Sequence, residues 1–108
     1  MRGEIWTSTG EAEYAGEPRP VVIIQDGHFE RLDSIVICGF TSDPTDLPLF
    51  RISIEPSGRN GLKVSSRVMV DKILTVRKSK LGYYLGRLDE RDVTRLDQAL
   101  AIFLGLAE

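Results

Sequence analysis

Arg19 stands between two prolines, Pro18-Arg19-Pro20, and runs straight into Val21-Val22-Ile23-Ile24-Gln25. A residue that precedes proline is pushed into the extended region, so the sequence itself fixes the backbone under this guanidinium at the head of an apolar run. Arginine stays charged at any ordinary pH and its planar fork grips two oxygens of one anion, which suits it to stabilising negative charge rather than to carrying a free proton. Other groups for proton transfer are scarce. His28 is the single histidine, so an acid–base pair of histidines is impossible within one protomer. It lies just past the Asp26-Gly27 turn, where a solvated side chain is expected. With one cysteine and no His-X3-His or Cys-X2-Cys spacing, no zinc site is expected. Neither glycine-rich phosphate motif of the nucleotide-binding folds is present. Cys38 sits inside an apolar run, has no intrachain disulfide partner, and reads as a small buried hydrophobe.

Arg19 must be carried by a sheet. Residues 5–8 read as a first strand, and the glutamate- and glycine-rich stretch 10–17 as a candidate mobile loop. Residues 19–25 form a continuous β-branched run, the pattern of a central strand buried on both faces. A further strand is predicted over 34–40, a turn-rich loop with Asp43-Pro44 and Asp46 over 41–47, and an alternating strand over 50–54. Residues 67–70 and 73–76 are two halves of a strand pair or one bent strand, while 78–84 is ambiguous. Only the end is helical: Asp89 caps, Asp92 sits in the first turn, Val93, Leu96, Leu100 and Phe103 fall on one face, and Gly105 terminates. Short strands at close spacing with one C-terminal helix predict a mostly β fold, a small, strongly curved antiparallel sheet or SH3-like barrel.

At 108 residues the chain is one domain, 1–108, with no room for a second core. It opens without a secretory pattern, and its longest apolar runs are far too short to cross a bilayer, so a cytoplasmic protein is expected. The net charge of −2 argues against a generic nucleic-acid binder, yet the charge is segregated. Residues 1–50 hold three basic and nine acidic side chains, whereas residues 51–80 hold eight basic and two acidic, a local excess of +6. A stripe of Arg51, Arg59, Lys63, Arg67, Lys72, Arg77, Lys78 and Lys80 suits a polyphosphate backbone and an acidic peptide equally; an ordinary solvated face would carry it too.

The opening Arg2-Gly3-Glu4-Ile5-Trp6, the polar loop and Pro18-Arg19-Pro20 together resemble the MazF/PemK (Kid) family of toxin endoribonucleases. The likeness continues through Phe40-Thr41-Ser42, Ser66-Arg67-Val68-Met69-Val70-Asp71-Lys72-Ile73 and Leu96-Asp97-Gln98-Ala99-Leu100, and so covers essentially the whole chain. It implies the toxin half of a type II toxin–antitoxin pair: a sequence-specific, metal-independent endoribonuclease needing no cofactor, which cuts single-stranded RNA. It further implies a homodimer with the RNA groove across its interface and an antitoxin with an acidic, partly disordered tail. The family's catalytic Arg and Thr match Arg19 and Thr41. Their implied roles are stabilising the phosphorane and orienting the scissile phosphate or a reacting hydroxyl.

The general base stays open between Glu17, two residues before Arg19, and Asp71, which matches an Asp used by the Kid-like branch. That branch carries an Arg two residues earlier, where this chain has Met69, which favours the Arg/Thr pair. Asp71 has a plainer role open to it, pairing with Lys72 or Arg67. Ser42, Arg51, Arg67, Asp71 and Lys72 are the candidate RNA contacts, and Phe40, Tyr83 and Tyr84 the candidate stacking aromatics, with core packing the safer reading of Phe40. Two rival readings use the same fold. CcdB-like gyrase poisons act through a helix ending in an aromatic tail, whereas this sequence closes on Leu104-Gly105-Leu106-Ala107-Glu108, and an inert SH3-like module would need neither Arg19 nor Thr41.

Overall fold

The computed structural model describes residues 1–9 and 17–107, so the loop predicted over 10–17 lies, apart from Glu17, outside the described residues. Six strands form one antiparallel sheet: β1 (Glu4–Ser8), β2 (Arg19–Ile23), β3 (Ser34–Thr41), β4 (Arg51–Ile54), β5 (Ser66–Arg77) and β6 (Leu81–Arg87). The spatial order is β4-β5-β3-β2-β1-β6, and α1 (Glu90–Phe103) follows. Val21, Val22 and Ile23 have no solvent exposure at all, as the uninterrupted apolar run of β2 requires.

They are buried because the sheet carries a core on each face. Val22 joins Ile5, Cys38, Phe40, Val68 and Val70 beneath the helix residues Leu96, Ala99 and Leu100. Val21 and Ile23 join Ile35, Ile37 and Val76 on the other face, where Trp6, Leu74 and Leu81 pack against them. Even-numbered residues of β5 thus serve both cores, which a regular strand with period two cannot do. The register explains it. Cys38 pairs with Ile73 and Phe40 with Val68, so β5 advances five residues while β3 advances two. The three extra residues form a bulge, and an odd number of them turns every later side chain to the opposite face. The segments 67–70 and 73–76 are therefore one bent strand.

The ambiguous stretch after β5 is a single 3-10 turn, Lys78–Lys80, that reverses the chain into β6. β6 is an edge strand, and the connection between β4 and β5 is pressed against it: the Arg87 N–H donates to Arg59 O at 3.0 Å. Gly61 sits at φ +71°, and a Cβ there would fall 2.1 Å from the Leu85 carbonyl oxygen, so only glycine fits. Asp89 caps α1 by accepting the Asp92 N–H at 2.9 Å, and Gly105 at φ +76° ends it. One position on the predicted apolar face is corrected. Leu96 and Leu100 are buried, but Phe103, the last residue of α1, is 46% exposed, with its ring 6.5 Å from that of Phe50 between centroids.

Candidate active site

The ends of four strands bring the candidate residues to one rim. β2 and β3 pair through Val21↔Gly39, Val22↔Cys38 and Ile23↔Ile37. Continued two residues outward, that register sets Arg19, the first residue of β2, opposite Thr41, the last of β3, and cross-strand partners share a face. Thr41 pairs in turn with Arg67 of β5, and Arg67 with Ser53 of β4. The row Arg19, Thr41, Arg67, Ser53 runs across the sheet just past the end of the second core. Arg19 and Ser53 are exposed, and Thr41 and Arg67 half-buried. Two guanidiniums thus flank a hydroxyl on one face.

The loop after β3 holds two members of that row. Thr41 Oγ1 accepts the Asp43 N–H at 3.1 Å, while the Asp43 carbonyl accepts from Arg67 Nη1 at 3.1 Å. The Asp43 carboxylate is itself held by the Thr45 N–H at 3.0 Å and the Thr45 hydroxyl at 2.7 Å. These bonds, the backbone one foremost, keep the Asp43 carboxyl below the usual carboxylate range, with Arg51 and Arg67 adding to the effect. The sequence places Asp43 in a turn-rich loop over 41–47 but does not mark it as a partner of Thr41 and Arg67. The available signal was an Asp with a Thr two residues on, a spacing at which a carboxylate bonds the following backbone.

Asp71 is placed differently from expectation. Its carboxylate takes two bonds from Arg51, Nε to Oδ1 at 2.8 Å and Nη2 to Oδ2 at 3.0 Å, rather than pairing with Lys72 or Arg67. The side chains are only 13% and 20% exposed, and the Arg51 guanidinium lies 5.8 Å over the Phe50 ring. The Arg51 bonds hold the Asp71 carboxyl below its ordinary value and the Arg51 guanidinium above its own. A carboxylate so engaged is a poor proton acceptor at neutral pH. Asp71 and Arg51 thus form a lock between β4 and the β5 bulge.

Glu17 is exposed two residues from Arg19, Ser42 is exposed beside Thr41, and Lys72 is exposed in the bulge. The basic stripe does not form one patch. Near its start β5 carries Arg67 at the Thr41 rim, and it ends with Arg77 paired to Ser34, so Arg77, Lys78 and Lys80 lie at the far end of the sheet. Pro18 and Pro20, behind Arg19, line a cavity of about 300 Å³ with Leu62, Val64 and Leu85 and the cation Lys63. Phe40 is core, while Tyr83 is 78% and Tyr84 52% exposed, the latter edge-on to Trp6 at 5.7 Å. His28 is solvated as expected, and its ring nitrogen Nδ1 lies 2.5 Å from the Asp26 carboxylate. Burial lifts the Cys38 thiol to about 12, so it is no nucleophile.

A six-stranded antiparallel sheet followed by one C-terminal helix is the fold of a class of small toxins. The chain belongs to the family of PemK-like, MazF-like toxins of type II toxin–antitoxin systems, whose model matches residues 1–104. It is 47% identical over 106 residues to a probable endoribonuclease MazF of Mycolicibacterium smegmatis, covering 98% of this chain and 97% of that one. It is similar in structure to a mycobacterial endoribonuclease solved in complex with its cognate antitoxin, with a TM-score of 0.83 and 26% identity over 100% of this chain and 97% of the other. The Mycobacterium tuberculosis toxin MazF-mt6 shares the fold at TM-score 0.78 and 20% identity, over 95% of this chain and 99% of its own.

Proposed function

We propose that this toxin is a metal-independent endoribonuclease that cuts single-stranded RNA at a short recurrent sequence, in the cytoplasm, and is silenced by a cognate antitoxin. The observation that carries the reading is the shared face of Arg19 and Thr41 at adjoining strand ends. In the reaction the substrate's 2′-oxygen attacks phosphorus, the P–O5′ bond breaks, and a cyclic phosphate and a 5′-hydroxyl result. Arg19 neutralises the charge that grows on the phosphorane oxygens and donates a hydrogen bond to the departing 5′-oxygen, which takes its proton from water. Thr41 directs its hydroxyl proton at a phosphate oxygen. Its Oγ1 already accepts the Asp43 N–H, which turns the O–H away from the loop. Glu17 takes the 2′-hydroxyl proton, directly or through water, a role for which Asp71 is unsuited while Arg51 holds both its oxygens. Ser42, Arg67 and Lys72 grip the flanking backbone, and the Arg51–Asp71 pair keeps the bulge that presents Lys72 in shape.

A homodimer fits the apolar side chains left exposed at the end of α1, Ile102, Phe103, Leu104 and Leu106. An acidic antitoxin tail lying along Arg19, Lys63 and Lys72 would compete with RNA for the same cations. The test is a long transcript incubated with purified protein in EDTA, with the ends mapped. Cuts at one short sequence leaving 5′-hydroxyls are expected, and the antitoxin abolishes them. Intact RNA alongside trapped gyrase–DNA complexes would replace this reading with gyrase poisoning.

A further inference from the structure

Asp43 touches two adjacent members of the rim, Thr41 of β3 and Arg67 of β5, and it does so through its backbone. Its N–H reaches Thr41 Oγ1, its carbonyl reaches Arg67 Nη1, and its carboxylate closes the turn on the Thr45 N–H and hydroxyl. A threonine hydroxyl and an arginine side chain are otherwise free to rotate through several staggered conformers. Bonds from one rigid turn remove that freedom on the face where Thr41 and Arg67 are direct cross-strand partners. We propose that Asp43 is a positioning residue: the Asp43–Thr45 turn, locked by its own carboxylate, aims the Thr41 hydroxyl proton and the Arg67 guanidinium at one phosphate.

This rests on the endoribonuclease reading and adds to it a residue that acts through others. The turn stands on the surface, with Asp43, Pro44 and Thr45 all exposed, so its conformation is set by these local bonds and not by burial. Arg67 then serves as a second phosphate clamp on the opposite side of Thr41 from Arg19, with its fork oriented before substrate arrives.

The experiment compares Asp43→Ala, Asp43→Asn and Thr45→Val on an oligoribonucleotide spanning a cut mapped with the unaltered protein. Asp43→Ala is expected to lower kcat on the order of 10- to 100-fold, the scale of a misplaced reacting group. The thermal midpoint should hold steady, and binding of the same oligonucleotide with a 2′-deoxy sugar at the cut should weaken far less than kcat falls, because of the groups involved only Arg67 also holds the bound phosphate. Asp43→Asn should restore most of the rate, because the amide oxygen accepts the same two Thr45 donors. Thr45→Val, which keeps the N–H bond and loses the hydroxyl bond, should fall between. In a Thr41→Ala background the residual activity should be much less sensitive to Asp43→Ala, since one of its two targets is gone. Full kcat in Asp43→Ala overturns the proposal. Equal loss in Asp43→Ala and Asp43→Asn also overturns it, by assigning the effect to charge. If the unaltered protein cuts no RNA, the functional reading has failed instead.

Discussion

Arg19 and Arg51 each open a strand, β2 and β4, yet the two sites use the guanidinium in contrasting ways. Arg51 lies across from Met69, two residues short of Asp71, and the bulge brings that carboxylate within reach of two of its nitrogens, Nε and Nη2. Its charge is turned inward and fixed. Arg19 follows the described Glu17 and Pro18, is exposed, and sits at the rim with Thr41 on its face. What fixes Arg51 is a carboxylate two residues off register that the bulge folds back to meet it, whereas Arg19 keeps an exposed place at the rim.

The contrast is sharpest in what truncation does. Arg19→Ala should lower kcat for RNA cleavage about 10²- to 10³-fold, the typical loss on removing one oxyanion-stabilising donor, while the thermal midpoint stays where it was. Rate measurements under single turnover, set beside a melting curve, check both halves. An Arg19→Ala protein with undiminished kcat would dissolve the distinction.

Asp71→Ala should do the reverse, costing about 2–3 kcal/mol of stability because a mostly buried guanidinium is left without its partner. Urea unfolding reads the loss, and exchanging the pair in an Arg51→Asp, Asp71→Arg double variant should recover part of it. The pH dependence carries a definite sign. Arg51 holds the folded-state Asp71 carboxyl below the roughly 3.9 of an unfolded chain. The pair's contribution is therefore whole above about pH 4 and is lost as pH falls through the lower folded value. The stability gap between the unaltered protein and Asp71→Asn should be flat at neutral pH and close on acidification. A gap that persists unchanged at the acid end would show that the pair contributes nothing by charge.

Much of this was legible from residues alone. The run Val21–Ile23 announced a strand buried twice, and the cap Asp89 and stop Gly105 bounded the helix, because these features depend on local sequence. The Pro-flanked Arg19 was legible for the same reason. The Arg51–Asp71 partnership was not, since twenty residues separate the two and the bulge that joins them has no distinctive composition. Nor was the splitting of the basic stripe: one strand carried its charges in a row, and only the register shows that β5 starts at the Thr41 rim and ends beside Ser34. Phe103 fell on the helix's apolar face by periodicity, but periodicity does not say whether the last residue of the helix is covered.

That division of β5 sets the smallest and most discriminating test. Lys72, in the bulge, stands next along from the rim that holds Thr41 and Arg67, whereas Lys78 lies past the far end of the strand. A phosphate contact releases counterions on binding, so losing one lowers the dependence of affinity on salt by about 0.7 in the log–log slope for single-stranded nucleic acid. Lys72→Ala should show that reduction for the 2′-deoxy-substituted oligonucleotide, with a modest weakening at low salt, and Lys78→Ala should leave the slope unchanged. Titrations across a range of salt concentrations separate the two. If both variants lose the same increment, RNA follows the whole length of β5 and the near rim is only one part of a longer track; if neither does, the phosphates lie against Arg19 and Arg67 alone.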